Sequence, residues 1–143
     1  MPPVPPWSLH PQLDAARAAI ADLPLSRVLL CRDANYPWLI LVPRRPGAIE
    51  IVDLDAADRG QLMVEIDSAA RALRAVAPCD KLNVAALGNM VPQLHVHIIA
   101  RRISDAAWPR PVWGTTDARA YDPPALAALV AALRTTLTPD PSP

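Results

Sequence analysis

The residues best able to do chemistry in this chain lie in one short run, Gln93-Leu94-His95-Val96-His97-Ile98-Ile99. Apolar side chains alternate there with an amide and two imidazoles, the pattern of a strand whose two faces differ. Side chains on a strand point alternately to its two faces. Gln93, His95 and His97 therefore share one face at steps of about 6.6–7 Å, while Leu94, Val96 and Ile98 turn into the other. Satisfied surface histidines are the plain alternative. Three consecutive positions of one face given to such groups favour a working site.

Two chemistries fit this row. The first is metal binding: His-x-His on a strand can hold zinc from one side, with a third ligand from His10, a cysteine or a carboxylate elsewhere. His10 lies in the N-terminal region, and no Asp or Glu interrupts the run itself. The second is nucleophilic catalysis. A neutral imidazole attacks through one nitrogen when the other keeps its proton and gives it to an acceptor, often a backbone carbonyl. His95, between two polar neighbours, suits the nucleophile, and an ordinary pKa of about 6.5 leaves it largely neutral at pH 7. Phosphorus is the natural electrophile, because a phosphoryl–imidazole bond is labile to water and one hard displacement becomes two easier ones.

The elements that must position this row can be read from periodicity. Strands are expected over 26–32 and 37–43, joined by the turn-like Asp33-Ala34-Asn35-Tyr36-Pro37, then over 81–87 and 94–100 on either side of Gly88-Asn89-Met90-Val91-Pro92. Between the two pairs, Leu62, Ile66, Ala69, Leu73 and Val76 recur at steps of four and three. That predicts an amphipathic helix over 55–77, opened by aspartates and stopped by Pro78, with Arg59, Glu65, Arg71 and Arg74 off the apolar stripe. Alanine-rich residues 12–23 predict a short helix and 125–137 a final one. Neighbouring strands with helices inserted at few points indicate an α+β fold on an antiparallel sheet of four to five strands.

The 143 residues suit one domain, expected over 7–138, with proline-rich tails at 1–6 and 139–143. Fourteen basic side chains balance 14 acidic ones, and Lys81, at the start of the strand carrying Asn83, is the single lysine. That balance argues against a partner such as a nucleic-acid polymer, which is bound by neutralising many phosphates. Apolar runs such as 38–42 are far short of the roughly 20 residues a membrane helix needs. The first residues have neither the basic flank nor the apolar stretch of an export signal, and Cys31 and Cys79 form no Cys-x-x-Cys pair, so the expected compartment is the reducing cytoplasm.

At its histidines the chain resembles the histidine triad (HIT) family, whose signature is His-φ-His-φ-His-φ-φ with φ apolar. The likeness extends over about 25–114: Lys81-Leu82-Asn83, Leu87-Gly88-Asn89, Arg101, Leu39-Ile40-Leu41-Val42-Pro43-Arg44 and Trp108-Pro109 fit the flanking pattern. The fit is best to a bacterial subgroup with Gln in the first triad position. The resemblance implies a HIT-like fold with one long helix and shorter terminal helices. It implies a nucleotide hydrolase or nucleotidyl transferase in which His95 attacks the α-phosphorus and becomes nucleotidylated, with no cofactor. It further implies that His97 supports the site and contacts phosphate, that Asp33 holds the ribose hydroxyls, and that Asn83, Gly88 and Asn89 contact phosphate or ribose. Family members are usually homodimers joined through a strand and the long helix, which would use the Leu62-to-Val76 stripe. Three departures stand out. Gln93 replaces the first histidine, leaving its carbonyl to orient His95; Met90 stands where many active members have a hydroxyl residue; Trp38 stands where another histidine is common. A non-catalytic nucleotide-binding module is the main alternative, and a strand-based zinc site the third.

Overall fold

The computed structural model describes residues 3–137. The expected tail at 139–143 and the domain boundary at 138 lie outside the described residues; 3–6 are exposed and in no regular element. A four-residue helix α1 (Pro11–Asp14) leads into strand β1 (Arg17–Asp22), followed by β2 (Ser26–Cys31) and β3 (Trp38–Pro43). The long helix α2 (Ala56–Val76) follows, then β4 (Lys81–Ala85), β5 (Val96–Arg101) and a last helix α3 (Pro123–Leu137). The strands form one antiparallel sheet in the order β1-β2-β3-β5-β4. The α+β antiparallel architecture expected from the sequence is the one observed.

One face of the sheet is closed by helices. Val28, Leu30, Leu39, Leu41, Ile98 and Ala100 pack against Ala69, Ala72 and Leu73 of α2 and Leu133 and Leu137 of α3. Each large apolar side chain buried this way contributes about 1.5–3 kcal/mol. Asp55 caps α2 by accepting the Asp58 N–H at 2.8 Å. The α2 stripe, Leu62 to Val76, is thus packed within the chain. Glu65 is off the stripe in sequence yet only 2% exposed. Its carboxylate accepts the Leu25 and Ser26 N–H groups, each at 2.8 Å, and so clips the β1–β2 turn to the helix.

The helix expected over 12–23 is corrected by the structure. It stops at Asp14, Ala16 turns with φ 55, and Arg17–Asp22 becomes an edge strand. Alanine's helix preference is worth only tenths of a kcal/mol per residue. Pairing with β2 and burial of Ile20 outweigh it. A bulge between Ala19 and Ala21 lets Ile20 reach the helical side of the sheet.

The opposite face carries Leu29, Cys31, Ile40 and Val42, covered by Leu13 of α1 with Trp7 and Leu9. Because Ile40 lies opposite His97, this is also the face of the histidines. The N-terminal segment therefore lies over the sheet beside them.

Candidate active site

The strand expected over 94–100 begins later, at Val96, because the chain bends at Gln93. The expectation that Gln93, His95 and His97 form one row of a strand is corrected accordingly. Gln93 turns its side chain to the N-terminal segment, where Oε1 accepts the His10 N–H at 2.8 Å and Nε2 donates to the Ser8 carbonyl at 2.9 Å. Its backbone carbonyl lies 2.7 Å from His95 Nδ1. The His95 and His97 rings stay together, centroids 4.9 Å apart and nearly edge-on.

The partners of the two rings fix opposite tautomers. A carbonyl only accepts, so His95 Nδ1 carries the proton and its Nε2 keeps a lone pair. The Trp38 indole N–H only donates, and it meets His97 Nδ1 at 3.0 Å. His97 therefore carries its proton on Nε2. Trp113 packs edge-on against His97 at 4.9 Å and against Trp38 at 5.8 Å, walling the pair on that side. Burial is the main cause that lowers the His95 pKa below its ordinary value, and the nearby Arg17 charge adds to it. For His97 burial, then His95, then Arg17 push the value down to about 3. Both imidazoles are neutral at pH 7.

A cavity of about 420 Å³ opens over the histidines. That size suits a small molecule rather than a polymer. His95, His97, Gly88 and Asn89 line it together with Leu87, Met90 and Trp113. Gly88 has φ +72, which turns the loop sharply beside the rings. From α1 and β1 come Gln12, Leu13 and Arg17, which no sequence pattern singled out. They lie about 80 residues from the histidines, and only the paired strands bring them close.

Three expected site residues do not line the cavity: Gln93, whose amide is held by the N-terminal segment, Asp33 and Asn83. Asp33 Oδ1 accepts the Asn35 N–H, the Asn35 amide and the Arg119 N–H at 3.0, 2.9 and 3.2 Å, tying the 117–119 segment to the β2–β3 turn. Asn83 shares the histidine face, but its Oδ1 accepts from Arg101 Nη1 at 2.9 Å. Lys81 is exposed and donates to the Leu82 carbonyl, away from the cavity. His10 Nδ1 accepts the Gln12 N–H at 3.1 Å. Among the described residues no three His, Cys, Asp or Glu side chains are gathered as a metal ion would require.

A family model described as the HIT domain matches residues 12–104. The chain belongs to the HIT family. This HIT protein is 58% identical to a histidine triad protein from Bradyrhizobium japonicum, with 94% of this chain and 100% of that one covered and a TM-score of 0.91. It is 40% identical to one from Marinobacter aquaeolei (93% and 97% covered, TM-score 0.88). It is 37% identical to one from Sinorhizobium meliloti (92% and 97% covered, TM-score 0.88). No protein of curated function matched the chain. The HIT family includes nucleotide hydrolases and transferases. No helix among the described residues is long and apolar enough to cross a membrane.

Proposed function

We propose that this chain is a nucleotide hydrolase or nucleotidyl transferase of the HIT variety with Gln at the first triad position, working through a covalent His95–nucleotide intermediate. One observation carries the reading: the Gln93 carbonyl 2.7 Å from His95 Nδ1, which leaves Nε2 unprotonated beside the cavity. In the first step His95 Nε2 forms a bond to the α-phosphorus while the bond from phosphorus to the leaving group breaks, its electron pair departing with that group. The His95 Nδ1–H stays on the Gln93 carbonyl and stabilises the imidazolium that forms. The His97 Nε2–H donates to a non-bridging oxygen, and the Gly88-Asn89 backbone flanks the phosphate. Water then attacks phosphorus, the N–P bond breaks, and the proton from water passes to solvent; a second nucleophile in place of water gives transfer. Gln93 acts by holding His95, and by clamping the N-terminal segment that walls the cavity.

The partner is a small nucleotide, and the protein works as a cytoplasmic homodimer. Exposed Val84 on the outermost strand β4 and exposed Met63 and Val64 on α2 support such an interface. The decisive test is a single-turnover incubation with α-labelled dinucleoside polyphosphate. Label should appear on wild-type protein and vanish in His95→Ala, with turnover reduced at least about 1,000-fold. Met90 at the cavity rim favours a second reading, a nucleotide-binding module without turnover. Calorimetry showing AMP or GMP binding to wild type without any labelled adduct would select that reading.

A further inference from the structure

Among the described residues, Arg17 is the single cationic side chain lining the histidine cavity, and no carboxylate lines it. The guanidinium is held firmly. Nε donates to Cys31 Sγ at 3.2 Å, and Nη1 meets the Gln12, Leu13 and Ala15 carbonyls at 3.0, 3.1 and 3.4 Å. None of these partners is anionic: Cys31 is buried, and burial pushes its thiol pKa up, so it stays protonated. Among the described residues Arg17 has no ion pair, and its Nη2 has no hydrogen-bond partner. A pre-oriented, uncancelled charge with one free donor edge suits a phosphate oxygen.

Among the described residues the same cavity presents no acid. Gln12, Asn89, Met90 and Trp113 cannot protonate a departing group, and His97 holds its Nε2 proton as a neutral imidazole. A group that leaves from the attacked phosphorus must therefore leave as an anion. We propose that Arg17 is the specificity-determining residue of this site, binding the phosphate chain beyond the phosphorus that His95 attacks. The substrates are then nucleoside phosphoanhydrides, in which the bridging oxygen takes the bonding pair and departs on a phosphate or polyphosphate anion. Phosphoramidates and esters with poor leaving groups are disfavoured, because their departing nitrogen or oxygen needs a proton this cavity does not supply. The inference rests on the His95 mechanism above.

The test compares wild type, Arg17→Met and Arg17→Lys on diadenosine tetraphosphate and on an adenosine phosphoramidate. Wild type should prefer the polyphosphate. Arg17→Met should lower its kcat/KM about 100-fold while changing the phosphoramidate less than about 3-fold, and Arg17→Lys should recover part of the loss. The acid limb of the pH profile should move up in Arg17→Met, since removing a cation eases protonation of His95, and stay in place in Arg17→Lys. Equal losses on both substrates would mean that Arg17 only braces α1, and would overturn the proposal. So would a wild-type preference for the phosphoramidate. A binding arm separates this from failure of the mechanism. Calorimetry with inorganic tripolyphosphate should show at least about 10-fold weaker binding in Arg17→Met. Should wild type turn over neither substrate, the covalent mechanism falls, and unchanged tripolyphosphate affinity in Arg17→Met would overturn the role of Arg17 as well.

Discussion

Two arginines on the histidine face of the sheet, Arg17 on β1 and Arg101 at the end of β5, meet very different surroundings. Arg101 is 1% exposed. Its Nε and Nη2 grip both oxygens of Asp105 at 2.7 and 3.0 Å, Nη1 takes Asn83, and the rings of Tyr36 and Trp108 flank it at 5.6 and 5.5 Å. Asp105 is equally occupied, accepting the N–H groups of Arg102, Ala107 and Trp108 as well. A buried charge costs several kcal/mol unless it is neutralised, so the fold dictates that closed network. Arg17 is half-buried, holds carbonyls and a thiol, and keeps its charge. A network that closes on itself stabilises; one left open at a cavity is available to a ligand.

The largest expected effect breaks the closed network. Asp105→Ala strands Arg101 without a counter-charge and should cost about 3–5 kcal/mol in urea unfolding. Phosphate or nucleotide binding per folded molecule should be preserved at permissive temperature. A loss under about 1 kcal/mol would show that Arg101 finds solvent or another partner, and would remove the contrast with Arg17.

That contrast also explains how far the candidate site was legible in the sequence. α2 and the buried strands follow from apolar spacing, because a long helix and a covered sheet repeat their pattern many times. His95 and His97 were readable as same-face neighbours for that reason. Asn83, expected from the resemblance to contact phosphate or ribose, does share the histidine face, yet Arg101, 18 residues on, takes its side chain. Asp33 sits at the expected strand end, but its oxygen is taken by Arg119, 86 residues away. Gln93 read as a strand residue because alternation continues through it, whereas its amide follows the N-terminal segment. Arg17 had no local signal at all, lying in alanine-rich sequence whose strand character depends on β2. Position along an element is local information; what a polar side chain bonds to is not.

A smaller effect sharpens the open side of the comparison. Trp38→Phe keeps a ring against Trp113 but removes the N–H that holds His97 Nδ1 as an acceptor. A net hydrogen bond of about 0.5–1.5 kcal/mol corresponds to a roughly 2- to 13-fold fall in kcat. Nitrogen chemical shifts should report mixed tautomers of His97 in the variant and a single one in wild type. Wild-type shifts and kcat in Trp38→Phe would show that something other than the indole orients the ring.

The smallest effect separates the two networks by pH. Asp105 is pushed up by burial, but Arg101 and three backbone N–H groups outweigh that and hold it at about 2. Its contribution is complete above the unfolded value of 3.8 and is lost as pH falls toward 2, so it is constant between pH 7 and 5.5. His97 behaves otherwise. Its folded pKa of about 3 lies below the unfolded 6.5, so the unfolded chain binds the extra proton between those values. Stability is fully present above pH 6.5 and falls on acidification, by up to about 1.4 kcal/mol per pH unit from this group. His95, also lowered by burial, acts in the same direction. Wild type should therefore lose roughly 1–2 kcal/mol in urea unfolding between pH 7 and 5.5, and His97→Gln clearly less. Asp105→Ala should keep the wild-type slope, since its network does not titrate there. An identical slope in His97→Gln would mean that the buried imidazole is protonated in the fold, and with it the neutral-tautomer arrangement on which the open network depends would fail.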